Sequence, residues 1–100
     1  STEEALIPDE FALHQNFPNP FNPSTNIRYD LPSEEIVNIA IFDVMGRNIR
    51  SLINKKKSAG YHRIQWDAKN DLGEPVSAGM YIYIIHAGEN RSVKKMVLLK

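Results

Sequence analysis

The chain has no cysteine, no apolar run longer than six residues and no excess of charge of either sign. The missing cysteine excludes a disulfide framework and any thiolate metal site. It suits the cytosol, and equally exported bacterial proteins that avoid free thiols. The longest apolar run, Met80 to Ile85, falls far short of the roughly twenty residues a membrane-spanning helix needs, so a soluble domain is expected. Twelve Lys plus Arg balance twelve Asp plus Glu, which argues against a nucleic-acid partner held through phosphates. The five glycines, at 46, 60, 73, 79 and 88, never form a phosphate-binding loop and read as turn markers.

What remains is ordinary globular composition: 100 residues, 42% apolar, 24% charged. That is enough for one domain with its own core and too little for two. The chain starts at Ser1 without an initiator Met or signal peptide, and is expected to be a fragment of something longer. Residues 1–10, acidic at Glu3, Glu4, Asp9 and Glu10, read as a linker or frayed terminus, and residues 11–100 as the domain.

The organisation of that domain follows from proline and from period-two alternation. Pro18, Pro20 and Pro23, interleaved with Asn16, Asn19 and Asn22, remove three backbone donors, so this segment is neither helix nor central strand. Ile27, Tyr29 and Leu31 then share one strand face, as do Val37, Ile39 and Ile41 on the next. Asp43 to Arg47 is a turn around Gly46. Ile49, Leu52 and Ile53 break strict alternation, which a bulge near Arg50 or Ser51 would reconcile. Asn54 to Gly60, with Lys55, Lys56 and Lys57, reads as a loop. His62, Ile64 and Trp66 share a face, and Asp67 to Pro75 is a polar connection. Met80 to His86 is apolar on both faces and predicts a central strand covered on both sides. Ala87 to Asn90 makes a hairpin turn, and Met96 and Leu98 share a face of the last strand. With Phe11 to Gln15, the total is about seven strands and no helix. The expected fold is all-β, an antiparallel immunoglobulin-like sandwich without the Cys-Trp-Cys framework of antibody domains.

No catalytic constellation emerges, and neither a cofactor nor an enzyme is expected. His14, His62 and His86 lie on separate strands without metal-ligand spacing, and His62 is better read as a satisfied histidine at the core's edge. The loop from Asp67 to Glu74 mimics a calcium loop only superficially, with Lys69 third and Leu72 sixth. Ser77 lacks the Gly-x-Ser-x-Gly elbow, and the three lysines are better read as solvated than as an anion site. Trp66 is expected to fill the core rather than form a sugar platform.

Five motifs in order carry a resemblance. Gln15 to Pro32 (QNFPNPFNPSTNIRYDLP) resembles the opening motif of the C-terminal sorting domains of the type IX (Por) secretion system. Ile41 to Arg47 is similar to the family's hydrophobic-aromatic-Asp-x-x-Gly-Arg turn, and Ala59 to Asp67 to its Ala-Gly-x-His-x-hydrophobic-x-Trp-Asp strand. Ser77 to Tyr83 and Lys95 to Lys100 resemble its small-Gly-hydrophobic-Tyr-x-Tyr strand and its terminal Lys-Met-x-Leu-x-Lys. Ala68 departs from the usual Gly, Ala78 from a common Ser, and Ile84 from an often polar position, enlarging an apolar face suited to contact. The fold is also similar to the immunoglobulin-like domain of the flagellar hook-capping protein.

The resemblance implies a non-catalytic transport label of the Bacteroidetes type, on the end of a larger secreted protein. The cargo would be exported to the periplasm, then carried by the outer-membrane machinery to the cell surface or medium, where a sortase often removes the label. Lys95, Met96, Leu98 and Lys100 are the expected recognition residues. Pro18, Asn19, Pro20, Gly46, Arg47, Gly60, Trp66, Asp67, Gly79 and Tyr81 are the expected structural motif. Partners would be that machinery, the sortase and a covalently linked N-terminal cargo, with a weak dimer through edge strands. The alternatives are a carbohydrate-binding or spacer module of a secreted hydrolase, and an assembly module like the hook cap.

Overall fold

In the computed structural model, which describes residues 7–99, every regular element is a strand. They are β1 (Ala12–Leu13), β2 (Thr25–Leu31), β3 (Glu35–Asp43), β4 (Asn48–Lys57), β5 (Gly60–Trp66), β6 (Gly79–Ala87) and β7 (Asn90–Leu98). Two antiparallel sheets form, β1-β2-β5 and β4-β3-β6-β7, and pack as a sandwich of seven strands. Alternation dictates the packing. Ile27, Tyr29 and Leu31 from one sheet meet Val37, Ile39, Ile41, Tyr83 and Ile85 from the other, all buried.

Trp66 is 0% exposed and fills one end of this core, its ring 5.8 Å from Phe21 and 5.3 Å from Tyr81. Its indole N–H donates to the Lys69 carbonyl at 2.9 Å, so burial leaves no orphan donor. His62 stacks on Tyr29 and shares a 2.8 Å hydrogen bond with the Ser58 carbonyl, as a satisfied histidine at the core's edge should.

Four local readings change. Strand β1 is two residues rather than Phe11 to Gln15; beyond it only single contacts with β2 continue, the His14 N–H donating to the Arg28 carbonyl at 3.0 Å and Phe17 bridging Asn26. Two register shifts, not one, interrupt β3 against β4, leaving Leu52 and Ile49 without direct partners on either side of Arg50 and Ser51. Each extra residue resets the alternation, which lets Ile49, Leu52 and Ile53 all pack on the core. Lys55, Lys56 and Lys57 are strand rather than loop, opposite Val37, Ile36 and Glu35. Strand β4 ends its sheet, and lysines on an edge strand discourage pairing with another chain. Strand β6 is central, but the sandwich has two layers, so its outer face is not covered. Ile82 and Ile84 are only half-buried there, between Phe42 and Ala40 of β3 and Lys95 and Val93 of β7.

Ala68 adopts φ 62°, the left-handed region where a Cβ is strained. That explains physically why glycine is usual after Trp-Asp in the sequences this chain resembles. Trp66→Ala is expected to cost about 3–5 kcal/mol, a large share of the roughly 5–15 kcal/mol that holds a domain folded; urea denaturation of the variant checks it.

Candidate functional site

The last strand is an edge strand, and a bare edge offers unpaired backbone groups to any other chain. Here the Asn/Pro segment covers it. Phe21 forms a parallel bridge with Leu98: its N–H donates to the Val97 carbonyl (2.9 Å) and its carbonyl accepts from the Leu99 N–H (2.8 Å). The Asn19 side-chain oxygen accepts from the Val97 N–H at 3.0 Å, and the Gln15 side-chain amide donates to the Lys95 carbonyl at 2.7 Å. Residues 15–21 thus act as a strap along the outer edge of β7. Pro18 and Pro20 have no N–H, so the strap satisfies that edge without offering a full new one.

Buried polar groups hold the strap in place. Asn16 donates from its backbone N–H to the Tyr83 hydroxyl (2.8 Å) and from its side-chain amide to Thr25 Oγ1 (3.0 Å) and the Pro18 carbonyl (3.2 Å). Thr25 donates to the same carbonyl at 2.8 Å, and Tyr83 to the His14 carbonyl at 2.8 Å. Asn16 and Thr25 are both buried, and among the described residues no buried side-chain polar atom lacks a partner. Burial pushes the Tyr83 hydroxyl up to about 12, with the Asn16 N–H partly offsetting it, and burial raises Tyr29 and Tyr81 as well.

Most of the expected motif residues converge on this end of the sandwich. Met96 and Leu98 are buried, opposite Tyr81 and Gly79 of β6. Tyr81 donates to the Ser77 carbonyl at 2.6 Å and packs on Trp66, which packs on Phe21 of the strap. The Gly46 turn sits beside them, because Asp43 is the partner of Tyr81 in β3. Asp43 accepts from the Arg47 N–H at 3.0 Å and the Met45 N–H at 2.9 Å, and pairs with the Arg47 guanidinium at 2.7 Å. Those bonds, the Arg47 N–H foremost, hold its carboxyl below the usual range. Gly46 takes φ 82°, which closes the turn without a Cβ clash.

Other expected residues lie apart. Gly60 sits at the opposite end, opposite Leu31. Asp67 is exposed, 3.7 Å from Arg50, and Asp71 caps the Ser51 N–H at 2.9 Å, so the carboxylates of this connection serve the loop and its contact with β4. Lys95 is exposed, its side chain on the outer sheet face opposite Ile82, whereas Lys100 lies outside the described residues. The strap's own ligands, Gln15, Asn16, Phe21, Thr25 and Tyr83, were not among the candidates, because their partners are up to 80 residues away in sequence.

The match between motif and geometry is reflected in comparison with known proteins. The family model for the secretion system C-terminal sorting domain matches residues 15–99. The chain belongs to this family. It is a sorting domain of the type IX (Por) secretion system, carried by proteins bound for the cell surface or the extracellular space. No curated protein is a significant match. Among solved structures, that of dimeric latent PorU from Porphyromonas gingivalis has a TM-score of 0.69 at 23% identity, covering 92% of this chain and 10% of that one. PorZ, a surface component of the type IX system of the same organism, has a TM-score of 0.59 at 16% identity over 100% of this chain and 13% of its own. FlgD from Xanthomonas campestris, a hook-capping protein, has a TM-score of 0.61 at 20% identity over 96% and 71%. These likenesses are of fold, and the chain spans only about a tenth of the PorU and PorZ chains.

Two outcomes test the strap. Asn19→Ala, which strips the side-chain cap from Val97, is expected to cost about 1 kcal/mol in urea denaturation. Because the folded state favours neutral phenols, it holds protons that the unfolded chain gives up near pH 10. Stability is therefore expected to be level below about pH 10 and to fall towards pH 12, more shallowly in Tyr83→Phe, as melts at stepped pH will read.

Proposed function

We propose that the sorting signal is the strapped terminal strand itself: a folded surface that displays the exposed Lys95 on a strand that Met96 and Leu98 hold in the core, with Lys100 following in sequence. One observation carries this reading. The first and last motifs of the sorting family are a single hydrogen-bonded unit here, joined through Phe21, Asn19 and Gln15. A receptor reading the end of β7 therefore reads a state reached only by a folded domain. Recognition of this kind needs no catalysis, and the domain acts as a non-catalytic label. Trp66, the residue that a carbohydrate-binding reading would need as its platform, is buried.

In the same reading, the domain proper begins at Phe11, which packs against the core, and residues 1–10 connect it to an N-terminal cargo. The cargo passes through the periplasm, the outer-membrane machinery engages the β7 end, and a sortase cuts in or before the connecting segment. A weak dimer would form through β5, the strand that ends the smaller sheet.

The test is a fusion of a signal peptide, a fluorescent reporter and residues 1–100 in a bacterium with a working type IX system. Deleting Lys95 to Lys100 removes two buried core side chains and confounds recognition with unfolding. Charge reversal at the exposed position avoids this. Lys95→Glu is expected to lower surface reporter several-fold while leaving the melting temperature of the purified domain unchanged. Full export of a Lys95→Glu, Lys100→Glu double variant would remove the lysines from the signal.

A further inference from the structure

The outer face of the three-stranded sheet carries an arrangement of charge that the fold does not use. Arg28 of β2 and Arg63 of β5 are direct partners, so their side chains leave the same face side by side. Both are exposed. Like charges directly opposite each other destabilise a sheet. The acid on that face, Asp30, lies diagonal to Arg63, and its carboxylate is engaged by His14 at 2.8 Å. Among the described residues neither arginine forms an ion pair.

The two arginines line one open concavity of about 580 Å³ together with Phe17 and the side-chain amides of Asn19 and Asn26. Phe17 is 77% exposed, yet its backbone is locked to Asn26 by two hydrogen bonds of 2.9 and 3.0 Å. An aromatic ring displayed on a fixed backbone, beside two unpaired guanidinium forks, is a preorganised anchor rather than a frayed loop. The Asn26 side-chain amide makes no hydrogen bond among the described residues, which leaves it available to a ligand.

We propose that this concavity binds an acidic peptide segment of another protein. A glutamate or aspartate carboxylate bridges Arg28 and Arg63, the neighbouring apolar side chain covers Phe17, and the Asn26 amide meets the peptide backbone. Guanidinium forks match the planar carboxylate, and the anion cancels the repulsion between them. A single rim phenylalanine with the unbonded Asn26 amide suits a peptide better than a sugar ring, which needs a broader aromatic face. The two arginines lie on the sheet that does not contain β7, whereas Phe17 and Asn19 belong to the strap, so the concavity adjoins the strapped strand on its other side.

The test titrates the peptide acetyl-Glu-Glu-Leu-Glu-Glu-amide into the purified chain at low ionic strength, followed by two-dimensional NMR. Saturable shifts are expected at Phe17, Arg28 and Arg63. Arg28→Gln and Arg63→Gln should each weaken binding about tenfold or more. Each should also raise the melting temperature by about 1–5 °C, because one of two repelling charges is gone. Binding undiminished in both variants overturns the proposal. So does a fall in melting temperature in both, which would make the arginines supports of the fold. Trigalacturonate binding as tightly as the peptide overturns it in favour of an acidic glycan. All readings come from the purified chain, so a negative result leaves the sorting function untouched.

Discussion

Closure of the outer edge of β7 is the constraint on which the rest of this structure depends. A seven-strand sandwich has open edges by construction, and the one that carries the terminal motif is the most exposed to misuse, because it offers backbone donors and acceptors beside half-buried apolar residues. The strap meets that demand with two backbone bonds from Phe21 and one side-chain bond each from Asn19 and Gln15. Its prolines limit any further pairing, and its buried Asn16, Thr25 and Tyr83 fix its course. Each bond is worth about 1 kcal/mol net, so the four together amount to a substantial part of the stability of a small domain.

The fold class was legible because the alternation is strong. Each stretch in which apolar residues recur every second position became a strand with the expected face inward, including Ile27 to Leu31, Val37 to Ile41 and His62 to Trp66. Lys55 to Lys57 misled because an edge strand can be held by its neighbour's backbone alone, with no apolar residue to announce it. Apolarity on both faces of β6 suggests cover from two layers, whereas neighbours within the same sheet shield Ile82 and Ile84 in part. The functional end was half legible. The five motifs located its residues, but nothing local in Gln15 or Asn19 says that their partners stand at Lys95 and Val97.

That geometry also explains why separate short motifs can identify one kind of domain. Phe21, Trp66 and Tyr81 come from three distant segments and meet as one aromatic stack. Tyr81 and Gly79 are the strand partners of Met96 and Leu98, and Asp43 at the Gly46 turn is the partner of Tyr81. Motifs scattered along the chain are therefore neighbours in space. Gly60 stands at the far end, where its φ of 149° serves the passage from one sheet to the other.

The strap and its strand are separated by nearly the whole domain, with Gln15 bonded to Lys95 and Asn19 to Val97. Loop closure over such distances comes late and slowly. During synthesis the strap meets β2 soon after it emerges, but its bonds to β7 wait until that strand has followed. A product released before Val97 has no closed edge, whatever the state of the cargo ahead of it. The seam thus marks completeness: it forms only in a chain made through Val97.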